Sequence, residues 1–138
     1  MSGPTYAMFP RVASEAVVVG LVMTESSDKW AIDDAATQAT MAQTKVGGIS
    51  ATSAAADGDE IAVIVAGPAR ALAGAAITSG VACVAQAGTG RLIPYAHGDY
   101  TDDTTIYIAG YALSEASGDG VAFVLDVRPH VVSVSNPA

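Results

Sequence analysis

The chain has 138 residues, a formal net charge of −8 and six basic residues scattered at Arg11, Lys29, Lys45, Arg70, Arg91 and Arg128. One domain is the expectation at this length, and without a basic stripe to displace counterions from a polyanion, nucleic acid is not an expected partner. The hydrophobic share is 51% but the aromatic share only 6%, so the core must be built from small and β-branched side chains; the 14% of charged residues is well below the usual quarter, which leaves surface suited to meeting another protein.

Residues 1–12 carry Pro4 and Pro10, which exclude helix and a central strand. Tyr6, Met8 and Phe9 are nevertheless too apolar for a solvated tail, so this stretch reads as an extended arm that needs a surface. Residues 13–138 read as a single β domain. A strand is expected over 16–24, kinked at Gly20, followed by a polar turn at 25–29. In 30–45, Ile32, Ala35, Ala36 and Ala39 have helical spacing behind Trp30, and Asp33-Asp34 suit a helix N-terminus; the pattern is balanced between a short helix in 31–43 and strand with loop, with Trp30 as a core plug.

A pattern then occurs twice. Gly48 matches Gly110, Gly58-Asp59 matches Gly118-Asp119, and the run Ile61–Val65 matches Val121–Leu125. Each copy reads as a glycine-bounded strand, a small-residue loop, a Gly-Asp turn and a second strand. Upstream, Ala13, Ala16, Val17, Gly20 and Leu21 match Ala73, Ala76, Ile77, Gly80 and Val81, and Lys29-Trp30 match Arg91-Leu92. Two similar halves follow, 13–70 and 71–130. Residues 85–91 read as a turn, 94–105 as a polar loop and 131–138 as a short strand with a frayed end. The fold class is therefore all-β: a barrel-like or sandwich domain of two similar halves, with at most one short helix.

Chemistry is hard to place on this chain. His97, Asp99, Asp102 and Asp103 form its densest polar cluster, but their spacing fits no calcium-loop pattern and no Glu closes the set, so a solvated acidic loop is expected rather than a metal site. Gly88-Thr89-Gly90 has Ile93 where a dinucleotide motif needs its third glycine, and Gly48-Ile49-Ser50-Ala51 lacks the last glycine of a nucleophile elbow. His130 reads as a surface residue. The lone Cys83 has no internal partner and sits in an apolar run, where it acts as a small core hydrophobe. No acid, base or nucleophile can be nominated, so neither enzymatic activity nor a cofactor is expected. The longest apolar runs, Ala16–Met23 and Ile61–Ala66, are far short of a membrane span, and no basic region precedes an apolar stretch at the N-terminus; a soluble protein without a signal peptide is expected.

The stretches Gly48–Val65, Ala73–Val84, Gly88–Gly90 and Gly110–Leu125 together resemble the small head decoration, or capsid cement, proteins of tailed bacteriophages. The resemblance covers about 46–127; the segment 25–45 and the acidic loop 97–103 are not features of that family. It implies a β-rich, barrel-like subunit, commonly trimeric, made in the host cytoplasm. Such a subunit docks on the outside of the expanded capsid and clamps neighbouring major capsid subunits against the pressure of packaged DNA. Tyr6, Met8 and Phe9 of the arm are then the expected capsid contacts. The alternative for the arm is that it packs on its own or a neighbouring subunit. A second functional class remains open: a carbohydrate- or ligand-binding module of a fibre or adhesin, with Tyr95, Tyr100, Tyr107 and Tyr111 as its aromatic platform.

Overall fold

The computed structural model describes residues 7–26, 29–32, 46–86, 89–96 and 105–133. In chain order the strands are β1 (Ala7–Val12), β2 (Val22–Ser26), β3 (Lys29–Ile32), β4 (Gly48–Ser50), β5 (Glu60–Leu72), β6 (Ala82–Ala85), β7 (Leu92–Pro94), β8 (Thr105–Ala112) and β9 (Ala122–Ser133). They form one antiparallel sheet in the order β3-β2-β4-β5-β9-β8-β6-β7, with β1 on β5, curled into a nearly closed, barrel-like unit. The all-β expectation holds, and among the described residues there is no helix. Residues 29–32, the start of the ambiguous stretch, are strand β3; 33–43 lie outside the described residues.

β5 runs through both halves of the sheet. Its first part pairs with β1 and β4, and its second part, Gly67–Leu72, pairs with β9. The hydrogen bonds of one half recur in the other. The Val17 and Ala54 amides each donate to the other's carbonyl at 2.9 and 2.8 Å, as do those of Ile77 and Ala116 at 2.9 Å. The Gly20 amide donates to Ser50 O at 2.9 Å and the Gly80 amide to Ala112 O at 2.7 Å. The Ala62 amide donates to Thr52 Oγ1 and the Val124 amide to Ser114 Oγ, both at 2.9 Å. Trp30 pairs with Glu25 as Leu92 pairs with Ala85, which is the equivalence expected from Lys29-Trp30 and Arg91-Leu92.

Three details differ from the sequence reading. The Gly58 amide donates to Ala13 O and the Gly120 amide, not that of Gly118, to the equivalent Ala73 O. Gly58 and Gly120 are also the positive-φ pair, at 96° and 81°. Ile61 and Val63 therefore correspond to Phe123 and Leu125. Second, the recurring unit begins at β1 rather than at Ala13. Val12 opposes Glu60 as Leu72 opposes Ala122, and Phe9 opposes Val63 as Ala69 opposes Leu125. Residues 7–12 are thus extended and paired with the chain's own β5, which is the alternative given above for the arm, packing on its own subunit. The expected strand 16–24 is also shorter: Gly20, at φ 96°, turns the chain, and β2 begins only at Val22.

The core follows the same plan. Ala13, Val17, Met23, Ala54, Ile61 and Val63 form a cluster in the first half. Their counterparts Ala73, Ile77, Cys83, Ala116, Phe123 and Leu125 all belong to the large central cluster. A third cluster, Val84, Ile93, Ile106 and Ile108, closes the far end of the second half. Ser50 is the one buried polar side chain among the described residues; its hydroxyl accepts from the Leu21 amide at 3.0 Å and donates to Val18 O at 2.7 Å. Both groups are therefore satisfied, which removes the cost of burying a hydroxyl.

Candidate functional site

β1 presents the most apolar exposed strip among the described residues. Met8 is 46% exposed, Phe9 47% and Val12 39%. Among the described residues β1 pairs with β5 only, as a strand at a sheet edge, and its register shifts between Ala7 and Met8, an irregularity near its start. The Arg11 guanidinium sits 5.6 Å from the centre of the Phe9 ring, in range of a cation–π contact. Beside the strip runs an open groove of about 470 Å³, bordered by Met8, Phe9, Pro10, Thr52, Glu60 and Ala62. Its walls are mostly apolar, with the Glu60 carboxylate and the hydroxyls of Thr52 and Ser53 as the polar groups. Such a surface suits a protein segment better than a small charged ligand. Of the three residues expected to make contacts, Met8 and Phe9 share this strip, while Tyr6 lies outside the described residues.

Among the described residues the tyrosines do not form one platform. Tyr95 packs against the far-end cluster and Tyr107 against the central one, so they face different cores; Tyr100 lies outside the described residues. Tyr111 stacks on His130 with ring centres 5.7 Å apart and 15° between planes. His130 Nδ1 lies 2.8 Å from Arg128 O, which can only accept, so Nδ1 carries the proton and Nε2 accepts from the Tyr111 hydroxyl at 3.3 Å. Arg128 lies over the same tyrosine ring at 5.9 Å and pairs with Asp126 at 2.8 Å. Tyr111 of β8 is thus tied to the neighbouring strand β9, and His130 is half-buried rather than a free surface side chain.

Other polar groups have structural partners. Asp59 Oδ2 accepts from the Ala55 and Ala56 amides at 3.0 and 3.1 Å and so shapes the turn before β5. Asp119 pairs with Arg91 at 2.6 Å. The acidic loop 97–103 lies outside the described residues.

Cys83 is fully buried in the central cluster, and burial pushes its thiol up from its ordinary value to about 12. A thiol held neutral in this way is a packing group, not a nucleophile. In the unfolded chain the same thiol ionises near its ordinary value, so between about pH 9 and 12 the unfolded state holds fewer protons than the folded one. Stability from this group is intact below pH 9 and falls as pH rises through that window. Alkylation of the native protein at pH 8 is expected to be at least about a hundredfold slower than in denaturant. Equal labelling rates would mean the thiol is accessible.

No model of a known protein family matches the chain, and no curated protein matches it. Among solved structures, its fold is similar to that of the head fiber gp8.5 N base of bacteriophage phi29. The TM-score is 0.56 over 97% of this chain and 99% of that chain, at 21% sequence identity. At that identity the likeness is one of fold, and it spans both chains nearly end to end.

Proposed function

We propose that this protein is a structural component of a phage virion, made in the host cytoplasm and carried on the outer surface of the head, where it binds and stabilises the lattice of major capsid protein as a homotrimer. The observation that carries this reading is the end-to-end likeness of fold to the base of a phage head fiber. The blocks around Gly48, Ala73 and Gly110 point the same way, since they resemble phage head decoration proteins.

The capsid contact in this reading is the β1 strip with Met8 and Phe9, and Tyr6, outside the described residues, is the third contact residue. Burying one such side chain is worth about 1.5–3 kcal/mol, enough for a repeated contact on a lattice to hold a small subunit in place. Because the protein binds the assembled lattice and not the separated subunits, saturation should raise the temperature at which capsids come apart. Undecorated heads would be heated with and without saturating protein. Equal disruption temperatures, or failure to sediment with heads, would overturn the reading. A Met8→Ser/Phe9→Ser protein is expected to bind heads at least about tenfold more weakly, or 1.4 kcal/mol; unchanged binding would move the contact elsewhere.

A further inference from the structure

The repeated pairing supplies a rule for what should lie beside each strand, and at the end of β9 that rule is left unfulfilled. Gly67–Leu72 lies beside Ala122–Val127. One unit earlier, β1 lies beside Glu60–Ala66. One unit later, because Ile61 and Val63 correspond to Phe123 and Leu125, Gly67 falls on Pro129 and Ala71 on Ser133, so the third copy is the last part of β9. This third copy pairs with β8 from Thr105 to Ile108, but among the described residues no strand lies along its other side.

The side chains tell the same story. In the middle copy, Ala69 and Ala71 face the core at 5% and 0% exposure. The equivalent positions in β1 are Phe9 and Arg11, and Phe9 is 47% exposed. In the third copy they are Val131 and Ser133, both exposed, and Val131, at 53%, stands beside a groove of about 160 Å³ formed with Val46, Tyr107 and His130. Terminal units of a repeat array normally turn a polar face outward; here both ends leave apolar side chains at positions that the middle unit buries. The neighbour that would cover the end of β9 is an equivalent of Ala122–Val127, and the chain has one other such segment, the start of β5. Charge is favourable as well: the end of β9 carries Arg128 and His130, whereas Asp57, Asp59 and Glu60 precede or begin β5.

We propose that the end of β9, Arg128–Ser133, adds as an antiparallel strand to the start of β5 in a second copy of the chain, in the place that β1 fills within one chain. This deepens the self-association in the reading above, and it needs no capsid. β1 is the strand suited to give way: its register is irregular at Met8, and every one of its residues is at least partly exposed. One strand replaces another, so the exchange keeps the number of paired strands, which is why such swaps cost little. It also releases the segment that carries Met8 and Phe9. The register follows from the pairs Pro10–Ala62 and Arg70–Val124: Val132 of one copy falls opposite Ala62 of the next.

Two cysteine pairs test this on the isolated protein, with the native Cys83 out of reach in the core. Ala62→Cys combined with Val132→Cys is expected to give disulfide-linked oligomers on mild oxidation, since directly opposed strand residues lie within the span of a disulfide. Ala62→Cys with Val131→Cys, one residue out of register, should cross-link at least tenfold more slowly. Absence of intermolecular links, a link within one chain, or equal rates for both pairs would overturn the proposal. Pro10→Cys with Ala62→Cys staples β1 onto its own β5. The stapled chain should sediment as a monomer and associate once reduced; association that the staple does not change would show that β1 keeps its place and would sink the exchange. None of these readings depends on capsid binding, so a failure here leaves the sedimentation test with heads untouched.

Discussion

Gly110→Ala is expected to destabilise the protein by at least about 3 kcal/mol, in the range reserved for changes that force the backbone apart. Gly110 is where β8 crosses between β6 and β9, opposite Cys83 on one side and Val127 on the other, next to the register shift that follows Ile108. A Cβ there would lie 2.9 Å from the Asp126 carbonyl carbon and 3.1 Å from the Arg128 amide nitrogen. These are main-chain atoms of a strand paired within the sheet, so they cannot rotate aside as a side-chain tip would. Gly48 is the same position in the first half. Its φ is +152°, and a Cβ would meet Val63 Cγ1 at 2.6 Å and the Ile64 carbonyl carbon at 3.1 Å. Gly118→Ala is the control: nothing lies within 4 Å of its Cβ and its φ is not positive, so a change within about 0.5 kcal/mol is expected. Urea unfolding of the three variants checks this, with a drop in melting temperature of about 10 °C for Gly110→Ala. A Gly110→Ala protein as stable as the Gly118→Ala control would contradict the close approach of β8 to β9.

That these two glycines matter was legible in the sequence, because each opens one copy of the repeated block. The all-β class and the burial of Cys83 were legible for a similar reason: short β-branched runs between small-residue turns leave few other solutions. The exact correspondence of the halves was not. Matching Gly58-Asp59 to Gly118-Asp119 sets the second strands two residues away from their true partners. An even shift keeps every side chain on the same face of a strand, so alternation cannot reveal it. Only the hydrogen bonds show that Gly120, with its positive φ, does the work of Gly58. The place of β1 was hidden more deeply. Ala7–Val12 and Gly67–Leu72 share no residue at equivalent positions, and what they have in common is an edge to pair with, which is a property of β5 and β9. The exposed apolar character of Met8 and Phe9 was visible in the sequence. That they stand on a strand of the sheet, bordering a groove, was not, because Pro10 argues against a strand unless the strand is at an edge.

Leu125→Ala is expected to cost about 3–4 kcal/mol, whereas Val124→Ala next to it should stay within about 0.5 kcal/mol. Leu125 is fully buried in the central cluster and lies between Ala69 on β5 and Ala112 on β8. Its flanking partners are already the smallest apolar side chains, fixed on paired strands, so they have no long side chain with which to fill the space a missing isobutyl group leaves. The cavity therefore persists, and the cost belongs toward the upper part of the range for such deletions. Val124 points the other way. It is 41% exposed opposite Arg70, and its amide is held by Ser114 Oγ at 2.9 Å whatever the side chain is. Val63, the first-half equivalent of Leu125, is as fully buried but belongs to the smaller cluster beside β1. Its replacement by alanine removes fewer atoms, next to a strand that is itself exposed and better able to settle inward, so a smaller loss of about 2 kcal/mol is expected. Chemical unfolding of the three proteins gives the ranking directly. Equal losses at Leu125 and Val124 would mean that β9 does not present alternate faces to core and solvent. A loss at Val63 as large as at Leu125 would mean that β1 seals its end of the sheet as firmly as the middle of β5 seals the centre.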